Sequence, residues 1–80
     1  MGAFRPHATF DPAADAIYVY LSDVKVARTT SVDDSRIIDY SVDGGIVGVE
    51  LLRVGGGIDL SDIPCSETVE ELIGELGLGI

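Results

Sequence analysis

The chain has 80 residues, 46% of them hydrophobic, with 14 acidic side chains against 5 basic ones and a formal net charge of −9. A chain this short makes one domain and hides only about 60% of its unfolded surface, so its core needs outside support. Its single Cys excludes an internal disulfide, one Cys and one His fall short of a zinc site, and the acidity opposes binding to nucleic-acid phosphates and to anionic membranes.

The opening residues MGAFRPHATF carry no signal-peptide core. No apolar run reaches the roughly 18 residues of a membrane span, which predicts a cytoplasmic protein. His7 to Phe10 reads as a first strand, broken by Asp11-Pro12. There the proline presets a turn and the Asp11 carboxylate accepts the N–H groups ahead of it. Ala16 to Leu21 is the second strand. Ile17, Val19 and Leu21 share one face and Ala16, Tyr18 and Tyr20 the other, and two apolar faces suit a central position. Val26 to Val32 is a polar third strand that suits an edge.

Arg36 to Val42 and Ile46 to Val54 form strands four and five, joined by the hairpin signal Asp43-Gly44-Gly45. A two-residue turn at Asp43-Gly44 opposes Tyr40 to Val47 and Ile38 to Val49, both apolar pairs. A turn at Gly44-Gly45 keeps the same parity and stays open as an alternative. Gly55-Gly56-Gly57 predicts a flexible joint or a bulge; the Ile58-Asp59 that follows lacks the Lys and Ser/Thr of a phosphate loop. Ser66 is placed to cap a helix from about Glu67 to Leu76, with Glu67, Glu70 and Glu71 near the positive end of its dipole. Val69, Leu72, Ile73 and Leu76 form its apolar stripe, and Gly77 stops it.

The fold class is α+β: one domain over residues 1–80, an antiparallel meander of four or five short strands, and one C-terminal helix packed on a face. Tyr18 and Tyr20 are a candidate interface. They are covered by the helix, as first choice, or by a second subunit. Asp33, Asp34, Asp39 and Glu50 are the candidate functional carboxylates. Asp39 and Glu50 on a sheet face offer an acid/base pair, against the simpler account of a solvated polar face. Asp11 and Asp15, converging with Asp33 and Asp34, offer oxygen ligands for Mg²⁺ or Ca²⁺, against ordinary turn chemistry, which the pattern favours. Cys65, near a helix start, is read as a partly buried structural thiol and His7 as a surface residue. No catalytic set, metal or cofactor is expected.

Phe10-Asp11-Pro12, Asp15-Ala16-Ile17-Tyr18, Leu21-Ser22, Val32-Asp33-Asp34, Ile38-Asp39-Tyr40, Asp43-Gly44 and Val47-Gly48-Val49-Glu50 occur in an order that resembles the YuzE-like family of small prokaryotic domains of unknown function. The likeness covers roughly Thr9 to Leu52. Val24, and Ser35-Arg36 after the acidic pair, depart from the glycines common there, and the tail after Gly55 looks like an extension found in some members. Some members are similar to antitoxins that accompany small basic proteins, and the resemblance implies such a role here. The leading expectation is an acidic protein-interaction module, antitoxin-like, that binds a small basic protein and forms a homodimer or higher oligomer. The alternatives are a ligand or enzymatic site built at a subunit interface from the four carboxylates, and a purely structural oligomer.

Overall fold

The Asp11-Pro12 signal folds as a tight connection. The Asp11 carboxylate accepts the N–H groups of Ala13 at 3.1 Å and Ala14 at 3.4 Å, and Asp15 closes the loop at φ 52° with its N–H on the Pro12 carbonyl. A computed structural model describes residues 3–77. Its elements are β1 (His7–Asp11), β2 (Ala16–Tyr20), β3 (Arg28–Ser31), β4 (Arg36–Tyr40), β5 (Ile46–Leu52), a 3-10 turn (Val54–Gly56) and α1 (Ser66–Gly74). The strands form one antiparallel sheet in the order β1-β2-β5-β4-β3, with α1 on one face, so the α+β expectation holds. The β1-β2 hairpin docks on a β3-β4-β5 meander through the β2-β5 pair. β2 is interior and β3 an exposed edge, as their apolar and polar compositions require.

The β4-β5 hairpin corrects the expected turn and then restores the expected register. The Gly44 N–H reaches the Ser41 carbonyl and Ser41 pairs with Gly45, so the loop is the three residues Val42, Asp43 and Gly44, the last at φ 89° where glycine is favoured. Val42 therefore leaves the strand and is 92% exposed. Tyr40 faces Ile46 rather than Val47, and a bulge between Asp39 and Tyr40 takes up the offset. Beyond it Asp39 faces Gly48 and Ile38 faces Val49, as parity requires.

Ile17, Val19, Ile38, Val49 and Leu51 make the aliphatic face of the sheet, and Val69, Leu72 and Ile73 of α1 pack with them in one cluster. Each fully buried side chain of this kind contributes about 1.5–3 kcal/mol. Because α1 lies against β1 and β2, the rest of this face is covered by the segment before it, where Val54 and Ile63 are buried and Ile58 and Leu60 pack on the cluster. The three-glycine stretch is thus a folded turn and not a joint: Gly56 and Gly57 donate to the Arg53 and Val54 carbonyls, and Gly55 donates to the Asp15 carboxylate at 2.9 Å. The Arg36 guanidinium, 11% exposed, ties the segment down by bonding the Asp59 and Ser61 carbonyls while pairing with Asp33 at 2.9 Å.

Three expectations are overturned here. The helix covers the aliphatic face and leaves Tyr18 and Tyr20 on the other, because a Val/Leu/Ile stripe buries at no polar cost against Ile17 and Val19 but would desolvate Asp39 and Glu50. Ser66 is the first helical residue and not the cap. Cys65 holds the cap position at φ 58° with no side-chain cap bond. Its thiol is exposed, not partly buried, because it occupies the left-handed position ahead of the helix and not a place on the apolar stripe. Among the described residues no helix is long and apolar enough to cross a membrane.

Candidate functional site

Strand alternation sends a distinct set of side chains to the helix-free face. From β1 come His7 and Thr9, from β2 Tyr18 and Tyr20, from β5 Gly48 and Glu50, from β4 Ile37 and Asp39, and from β3 Thr29. Asp39 is the hub. One carboxylate oxygen accepts the Tyr18 hydroxyl at 2.5 Å and the other accepts the Thr29 hydroxyl at 2.6 Å, linking three strands. Gly48 makes the first of these bonds geometrically possible. The Tyr18 ring lies across it, and a Cβ at Gly48 would stand 2.6 Å from the Tyr18 Cε1 and Cζ atoms.

Tyr20, 37% exposed, continues this surface outward. Its ring centroid lies 4.5 Å from that of Tyr18 and 4.7 Å from that of His7, with which it stacks at 19°. Glu50 is half-buried, directly opposite Tyr18 on one side and Ile37 on the other. Among the described residues no side chain or backbone N–H donates to its carboxylate. Burial first, and then donation to Asp39, hold the Tyr18 phenol protonated beyond the ordinary tyrosine range. Tyr18 is therefore a hydrogen-bond donor and a packing surface, not a nucleophile. Each oxygen of Asp39 thus accepts one hydroxyl, while Glu50, two register positions away on β5, accepts from none among the described residues.

The four expected carboxylates do not converge. Asp33 and Asp34 lie in the β3-β4 turn, where Asp33 pairs with Arg36 and Asp34 lies 3.4 Å from the Arg53 guanidinium. Asp39 is three positions beyond Arg36 along β4, about 10 Å of extended strand. The Asp11 carboxylate is occupied by its own turn and that of Asp15 by the Gly55 N–H. Among the described residues no three His, Cys, Asp or Glu side chains form a metal set. Thr29 and His7 belong to the face although their residue types did not single them out. Cross-strand parity is the signal that places Thr29 opposite Asp39.

The surface carboxylates set the response to acid. The Arg36 guanidinium holds Asp33 below the usual carboxylate range, the Ser41 hydroxyl does so for Asp43, and Ser61 for Asp59. A folded-state value below the unfolded one gives stability that is present above about pH 4 and is lost as pH falls through the folded values. Thermal melts should drop between about pH 4 and pH 2. Ser41→Ala, which removes the hydroxyl from Asp43, should make that decline shallower. An acid limb identical in the two proteins would contradict the assignment.

Among comparisons with known proteins, a family profile described as "Protein of unknown function (DUF2283)" matches residues 7–54, from the start of β1 to the head of the 3-10 turn. No curated protein matches the chain, and no solved structure does. The matched span contains every strand and every residue of the Tyr18–Asp39–Thr29 network, and on it the chain belongs to the DUF2283 family of proteins of unknown function.

Proposed function

We propose that this protein is a protein-interaction module whose helix-free sheet face docks a small basic protein in the cytoplasm, in the antitoxin-like manner that the YuzE-like resemblance implies. The observation that carries the reading is the composition of that face. Tyr18, Tyr20, Asp39 and Glu50 lie together, and none of the strand residues on it is Lys or Arg. Aromatic area with unopposed carboxylates is complementary to a basic surface, and a net charge of −9 steers such a partner in.

The test is affinity capture from the native host with two baits, the wild type and Glu50→Lys. The wild type should retain one stoichiometric protein of pI above about 9, and the variant should lose it. Equal retention by both baits, or no basic partner, would count against the reading.

The same face is poorly suited to a second copy, since a two-fold axis would bring Asp39 and Glu50 toward their own images. Self-association in this proposal uses the corner where Val24, Val26 and Val42, exposed by 50%, 40% and 92%, surround a recess flanked by Lys25 and Asp43. A two-fold pairing there lets Lys25 of one copy meet Asp43 of the other. Light scattering should find a dimer that Val42→Asp converts to a monomer; a monomeric wild type would remove this part of the proposal.

A further inference from the structure

We propose that the helix-free face recognises arginine in particular: a guanidinium of the partner lies over the Tyr18–Tyr20 rings and donates to Glu50. This deepens the docking proposal above and rests on it. Glu50 supplies the acceptor, since its half-buried carboxylate meets no donor among the described residues, while each oxygen of Asp39 beside it already accepts a hydroxyl. Tyr20 faces Gly48 across the β2-β5 pair and Glu50 lies two positions further along β5. The two side chains are therefore diagonal cross-strand neighbours, about 7–8 Å apart at Cα. A planar guanidinium bridges that separation by stacking on an aromatic ring and presenting its N–H edge to the carboxylate, whereas a lysine ammonium meets only one of the two.

The rings are braced for this. His7 stacks behind Tyr20, and Tyr18 is anchored through Asp39, so little side-chain freedom is lost on contact. The chain already builds the same pairing on its other side, where the Arg28 guanidinium carbon sits 4.4 Å from the centroid of the Tyr40 ring.

The experiment is an NMR titration of the intact protein with hexa-arginine and with hexa-lysine peptides at matched ionic strength, repeated on Glu50→Gln and Tyr20→Leu. Hexa-arginine should shift the resonances of Tyr18, Tyr20 and Glu50 and bind about ten-fold more tightly than hexa-lysine. Both substitutions should erase that preference while thermal melts show the fold retained. Equal affinity for the two peptides on this face would overturn arginine selection and leave the basic-partner reading standing. Shifts confined to other surfaces, or none with either peptide, would overturn both.

Discussion

Ile17→Ala should cost the fold about 4 kcal/mol, in the upper part of the range for an aliphatic residue cut to alanine in a core. Ile17 is fully buried between Phe10 of β1 and Leu51 of β5, beneath the helix stripe. The size of the loss follows from how little the surroundings can collapse. Hydrogen-bonded strands fix two sides of the site, and the helix above is anchored by Val69, Leu72 and Ile73 at once. Some 80 residues sustain a total stability of only about 4–12 kcal/mol, so this single truncation removes a large share of it. Urea denaturation should show a much lower midpoint with cooperativity retained. Tyr20→Ala, at a residue 37% exposed on the opposite face, should shift the midpoint far less. Comparable losses at the two positions would mean that the aliphatic face is not the core.

Whether an element was readable in the sequence depended on how local its cause is. Strand parity is local, so the residues alone separate Ile17 and Val19 from Tyr18 and Tyr20 and match Ile38 to Val49. The Asp11-Pro12 turn was legible because its bonds run from one carboxylate to the next two N–H groups. The three-glycine turn was not. Its order comes from Asp15, forty residues earlier, bonding Gly55, and from Arg36 holding Ser61, and neither partner is visible in the GGG composition. The face chosen by the helix also depends on tertiary context. The stripe of α1 required an apolar surface, and both sides of β2 qualified. The choice lay with Asp39, Glu50 and Thr29, brought beside Tyr18 only when β2 docks on β5 and β3 pairs with β4.

A single sheet with one covered face divides the labour of the chain between its two sides. The Val/Ile/Leu side, with α1 and the 53–65 segment over it, supplies stability. The Tyr18–Asp39–Thr29 side is ordered by hydrogen bonds that span β2, β4 and β3 without being buried beneath a second layer. A face held rigid in this way keeps its shape in the absence of a partner, which lowers the ordering cost of docking. It also explains why two acidic side chains that are diagonal neighbours, two register positions apart on β4 and β5, differ in availability: Asp39 holds Tyr18 and Thr29, and half-buried Glu50 accepts from no donor among the described residues.

Gly48→Ala should destabilise the protein by about 2 kcal/mol, the cost of forcing an extra methyl group into a filled space. That corresponds to a melting temperature about 10 °C lower for a domain of this size. The methyl would stand 2.6 Å from the Tyr18 ring, and the ring cannot tilt away without giving up the bond to Asp39. Tyr18→Ala removes the obstacle, so in that background the same Gly48→Ala change should reverse sign. With the ring gone, alanine is favoured over glycine in a strand by roughly 0.5–1 kcal/mol because less backbone freedom is lost on folding. The four proteins of this cycle, melted side by side, should therefore give a coupling of about 2.5–3 kcal/mol between positions 18 and 48. If Gly48→Ala cost the same with and without the tyrosine, the ring would not be lying on the glycine, and the face would lose the anchor that fixes Tyr18 on Asp39.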